Sequence, residues 1–231
     1  MTALLISFDS SPGDRPTLLC LPQAGAGAGQ FRQWQQLLPD ISVVGVQLPG
    51  REERWAEPPA DSVDAVVDAV AAELGGRRLV IFGHSFGGLL GHEIAHRLTP
   101  AALVVAACRP PWMWVGAGHG LVADDVELHR LLEARGLDAD DLDEDSREEL
   151  FEVMRSDARL SLTYVLRERE PLTCTVEAWG GDGDDTVSPQ QLDGWAPYAG
   201  RQFVRRQFAG GHYFCQQRLK EILPILEGLI P

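Results

Sequence analysis

Residues 79–90 read Leu-Val-Ile-Phe-Gly-His-Ser-Phe-Gly-Gly-Leu-Leu, an apolar strand-like run that turns into a helix through Gly-x-Ser-x-Gly. A serine on so sharp a turn has its hydroxyl held clear of the backbone, and the two arms avoid collision only with small residues at Gly83 and Gly87. The helix starting after Ser85 also aims free N–H groups at negative charge forming beside the hydroxyl. Leu89, Leu90, Ile94, Ala95 and Leu98 continue that helix with an apolar pattern. The motif thus asks for a buried strand with the serine at its C-terminal end.

The rest of the chain supplies the sheet. Thr17–Leu21 reads as a buried strand and runs into 22–29, a loop of proline, glutamine, alanine and glycine. The loop lacks the lysine of a phosphate-binding P-loop, and Gln30 breaks a Gly-x-Gly-x-x-Gly pattern. It better fits a hydrolase loop whose backbone N–H forms half of an oxyanion hole. A helix over 31–38, a strand over 43–48 and a helix over 61–74 capped by Asp61 follow, then a strand over 102–108. This alternation predicts a mostly parallel sheet with helices on both faces.

From Pro110 to about Glu170 no strand-like run occurs, and the apolar patterns, from Leu128 to Leu166, are helical. The expectation is one domain over 1–231 with a helical lid inserted at about 110–170. Trp112, Met113 and Trp114 at its start read as apolar lining. Strands over 172–179 and 202–208 and a helix over 217–229 complete the chain.

Each polar motif lies at the C-terminal end of a strand, where open parallel sheets bind ligands. Ser85, an acidic loop holding Asp182, Asp184 and Asp185, and His212 then share one sheet edge, in the chain order of an α/β-hydrolase triad. His84 lies inside the turn, His92 and His96 sit one turn apart on the next helix, and His119 and His129 belong to the insertion. In this reading His212 deprotonates Ser85, an aspartate holds the imidazole tautomer, and the N–H groups of Phe86 and Ala24 receive the oxyanion.

A net charge of −14 argues against nucleic acid or an anionic membrane as partner. No run reaches the roughly 20 apolar residues of a membrane span, and the N-terminus lacks the basic region of a signal peptide. Cys20, Cys108, Cys174 and Cys215 are far apart and read as buried thiols of a cytoplasmic protein, with no metal site and no cofactor. Between 124 and 152, 13 acidic residues face three arginines, the pattern of a solvated outer face. Arg51, Arg54, Arg205 and Arg206 are the candidates for a local cluster attracting an acidic partner.

Together, Leu21-Pro22-Gln23-Ala24-Gly25, Leu48-Pro49-Gly50-Arg51 with Arg54 and Glu57-Pro58, Gly83–Gly87, Cys108-Arg109-Pro110-Pro111, Met154-Arg155-Ser156-Asp157 and Gly210–Phe214 carry a family resemblance. The chain resembles the type II thioesterases of polyketide and nonribosomal peptide assembly lines, over about Leu18 to Phe214. The resemblance implies an α/β-hydrolase fold with Ser85, Asp184 and His212 as triad and Ala24 and Phe86 as oxyanion donors. It also implies a substrate: an acyl group on the phosphopantetheine arm of an acyl or peptidyl carrier protein, removed when a chain is stalled or wrongly primed. Gln23 and Phe86 depart from the histidine and methionine common in the family, which bears on acyl preference rather than on triad chemistry. Two other readings of the residues are a small-molecule carboxylesterase or lipase on the same fold, and a non-catalytic acyl-binding module.

Overall fold

A computed structural model describes residues 4–10, 13–74, 78–137 and 141–230. Its strands are β1 (Leu5–Ser7), β2 (Thr17–Leu21), β3 (Ser42–Val46), β4 (Leu79–His84), β5 (Ala102–Ala106), β6 (Thr175–Gly181) and β7 (Gln202–Phe208). The helices are α1 (Arg32–Leu37), α2 (Val63–Leu74), α3 (Phe86–Leu98), α4 (His119–Ala123), α5 (Asp125–Ala134), α6 (Glu144–Leu162), α7 (Pro189–Asp193), α8 (Phe214–Gln217) and α9 (Leu219–Leu229). One sheet has the order β1-β3-β2-β4-β5-β6-β7, with β1 antiparallel to β3 and all other pairs parallel. This is the arrangement of an α/β-hydrolase.

Every residue of β2, β3, β4 and β5 is buried, because helices cover both faces and neither row of side chains meets water. One row, Leu18, Cys20, Val80, Phe82 and Val104, packs with Trp34, Trp179, Ile222 and Leu226. The other, Leu19, Ile81, Leu103 and Val105, packs against Val66, Val70, Leu89 and Ile94 of α2 and α3. Each such leucine, isoleucine or phenylalanine contributes about 1.5–3 kcal/mol by leaving water, so these two rows are the main hold on the sheet.

Some local expectations are corrected. The cap of α2 is Ser62, whose Oγ accepts from the Ala65 N–H at 3.1 Å; Asp61 stands one residue too early to reach that donor. Thr163 ends α6, its Oγ1 donating to the Leu160 carbonyl at 2.7 Å and accepting from the Val63 N–H at 2.9 Å. Val165 and Leu166 therefore fall beyond the helix and are exposed. The last helix stands as α9, while β1, α7 and the short α8 before it are elements that periodicity did not predict.

No strand occurs among the described residues between β5 and β6, where α4, α5 and α6 gather around Leu128, Leu132, Phe151 and Met154. From β2 the chain steps outward to β3, then returns to the other side of β2 for β4. Ligands of open α/β sheets bind at such a reversal, beyond the carboxyl ends of the strands. Ala24 follows β2 there and Ser85 follows β4.

Candidate active site

Ser85 has φ 52° and ψ −117°, a backbone conformation that costs a non-glycine residue about 1–3 kcal/mol. Its neighbours hold it there. The Ser85 N–H donates to the Ala106 carbonyl, and the Gly88 N–H to the Ser85 carbonyl, each at 2.8 Å. A Cβ on Gly87 would overlap the carbonyls of Leu21 and Pro22, so only glycine lets the elbow press against β2 and its loop. Phe86, the first residue of α3, carries one of the N–H groups that a helix leaves without an internal partner.

The Nδ1 of His212 lies 3.0 Å from Asp184 Oδ2 and 3.2 Å from Oδ1, with side chains 4% and 0% exposed. Asp184 Oδ1 also accepts from the Thr186 and Val187 N–H groups at 2.8 and 3.1 Å. Burial opposes its charge, but His212 and those amides outweigh burial and hold the carboxyl below its ordinary range. Asp182 instead accepts from the Gly210 N–H at 3.0 Å, and Asp185 is exposed at the cavity rim. Of the three aspartates, Asp184 alone meets His212 among the described contacts.

His84 does not face the cavity. Its Nε2 lies 2.9 Å from the His212 carbonyl. Burial, then the nearby His212, lowers its pKa to about 3, so a neutral ring donates to that carbonyl and braces the histidine loop from behind.

Ala24, Ser85, Phe86 and His212 line one cavity of about 570 Å³, with Leu121, Leu131 and Ala158 of the insertion above them. Trp114 is buried in its wall, its ring 5.8 Å from Phe86. Trp112 is 55% exposed and Met113 half-buried, and neither lines the cavity. The Ala24 N–H has no hydrogen-bond partner among the described residues. The four cysteines are free and buried. Among the described residues no group of three metal-binding side chains assembles, and no helix is long and apolar enough to cross a membrane.

Each of the four candidate arginines has an acidic partner within the chain. Arg51 and Arg54 are buried on Asp157 and Glu57, and Arg205 and Arg206 pair with Asp193 and Glu177. All four charges are locally satisfied. Spacing along a chain does not reveal such partners, for the acid that meets Arg51 lies 106 residues away, at Asp157. Asp157 did leave a trace: with Met154, Ala158 and Ser161 it occupies the buried stripe of α6, and a carboxylate there needs a partner.

Residues 16–230 match the thioesterase domain family. The AMB antimetabolite synthetase AmbE of Pseudomonas aeruginosa is 34% identical over 97% of this chain, which spans only 11% of AmbE. Thioesterase PikA5 of Streptomyces venezuelae is 30% identical over 93% of this chain and 81% of its own length. The structure of the type II thioesterase BorB from the borrelidin biosynthetic cluster superposes with a TM-score of 0.86 at 27% identity, covering 99% of this chain and 98% of that one.

Proposed function

This chain belongs to the thioesterase family, and on that premise we propose that it hydrolyses acyl thioesters on the phosphopantetheine arm of an acyl or peptidyl carrier protein, with Ser85, His212 and Asp184 as its triad. One observation carries the reading: a histidine held by a buried aspartate and a serine on a strained elbow line the same cavity, which is roofed by helices. Likeness to BorB, a type II thioesterase of a biosynthetic cluster, supports an editing or release role in assembly-line synthesis. Its work is cytoplasmic, and the insertion over 110–170 serves as the lid of a one-domain enzyme.

The chemistry follows from the contacts. With Nδ1 bonded to Asp184, His212 carries its proton there and leaves Nε2 as the base. Nε2 takes the Ser85 proton as Oγ attacks the thioester carbon, and the oxygen left negative is received by the Ala24 and Phe86 N–H groups. The C–S bond then breaks, and His212 returns the proton to the departing thiolate sulfur. Water attacks the acyl-serine, giving its proton to His212, and the free acid leaves as Ser85 recovers a proton. The test is turnover of an acyl-carrier thioester beside the matching small oxygen ester: the carrier thioester is the faster. Equal or reversed rates would make the chain a general esterase.

Trp114 should set the room for the acyl chain. Trp114→Ala removes the wall against Phe86, and each pocket methylene is worth about 1–3 kcal/mol of discrimination. Decanoyl thioester turnover should then rise relative to acetyl by about tenfold or more. A parallel fall in both rates would instead mark a damaged fold.

A further inference from the structure

The loop after β2 has almost no side chains of its own, yet its 24–25 peptide unit is gripped at both ends by the insertion. Arg135, at the C-terminal end of α5, donates through Nη2 to the Ala24 carbonyl. Asp157, on α6, accepts the Gly25 N–H through Oδ2 at 2.7 Å. The same carboxylate receives two bonds from Arg51, at 2.6 and 2.5 Å, and Arg51 donates onward to the Ala26 carbonyl at 3.2 Å. This ion pair is 7% and 2% exposed, and charged donors and acceptors in such a setting fix geometry more firmly than neutral ones. Gly25 has φ +75°, and a Cβ there would run into Met154 of α6. Arg135 also lies 5.5 Å over the ring of Tyr213, the residue after His212.

An oxyanion donor works only when already aimed at the place where the oxygen becomes negative. The Ala24 N–H sits one peptide before the gripped unit, so holding the 24–25 plane limits the directions that N–H can take. We propose that Asp157 and Arg135 are positioning residues which hold the Ala24 N–H toward Ser85, so that the oxyanion hole is complete only while α5 and α6 are seated on the sheet. The proposal rests on the reading of Ser85 as nucleophile and Ala24 as oxyanion donor. It makes the insertion part of the reaction and not only its roof: an enzyme with α5 and α6 lifted keeps its nucleophile but lacks a complete oxyanion hole.

The test uses two variants, Asp157→Asn and Arg135→Met, and two inhibitors matched in acyl group. One is a boronic acid that forms a tetrahedral adduct on Ser85 and puts an oxygen into the hole; the other is an unreactive amide analogue of the substrate. Loosening one donor should lower kcat about 10- to 100-fold and weaken the boronate by the same factor. KM and amide affinity should stay within about twofold, since neither depends on stabilising the oxyanion. Arg135 is only half-buried, so its variant answers the question even if Asp157→Asn melts early. Equal weakening of both inhibitors, or unchanged kcat in the folded variants, would overturn the proposal. A wild-type chain that forms no boronate adduct, or a Ser85→Ala chain with full turnover, would overturn the underlying reading instead.

Discussion

Replacing Ser85 with alanine should lower kcat by about 10⁶-fold, the scale on which nucleophile deletions act in serine hydrolases. The substitution removes one oxygen and little else. Ser85 Oγ makes no hydrogen bond among the described residues, and alanine keeps the Cβ that the elbow already tolerates at φ 52°. Substrate binding and thermal stability should therefore remain near wild type, while thiol release from an acyl-carrier thioester falls to a residue supplied by the oxyanion donors and the cavity. Retention of a tenth of the wild-type rate would remove Ser85 from the mechanism.

Asp184→Asn should cost about 10⁴-fold in kcat, because an amide in that place favours the wrong imidazole tautomer. The Thr186 and Val187 N–H groups still hold the side-chain oxygen, which turns the amide nitrogen toward His212 Nδ1. His212 must then present an unprotonated Nδ1 or lose the contact, and in the first case Nε2 bears the proton and cannot act as base. Asp185→Asn is the matched control. Its carboxylate is exposed and reaches Thr186 Oγ1 at 3.4 Å, so the loss should stay below about tenfold, within the range of a rim contact. Comparable losses at the two positions would mean that the loop as a whole, and not the Asp184–His212 bond, governs turnover.

What could be read from the chain were features with a short period or a tight local signature. Buried runs such as 79–82 and 102–106 gave the parallel strands, and Gly-x-Ser-x-Gly gave the elbow, because each encodes its structure within a few residues. β1 escaped notice because three residues are too few to show alternation, and its place is decided by pairing with β3. The acid could be narrowed only to one loop, since Asp182, Asp184 and Asp185 are chemically alike and differ in which way a turn points them. His84 was visible as part of the motif but not as a brace, for its partner is a backbone carbonyl 128 residues away. Asp157 and Arg135 belong to the same class: they meet the loop after β2 across 132 and 111 residues, respectively, a distance over which no periodicity speaks.

The two ends of the sheet have a consequence for how copies of this chain behave in a crowded solution. A free strand edge offers unpaired N–H and C=O groups on which another molecule can build. At one end β1 is only three residues long, too short to template a lasting ladder. At the other, β7 carries Arg205 and Arg206 mid-strand between exposed Gln202 and Gln207. A second strand laid there would have to bring its own side chains against those guanidinium groups and disturb their bonds to Asp193 and Glu177. Neither border welcomes an added strand, so edge-to-edge aggregation is opposed at one by brevity and at the other by charge.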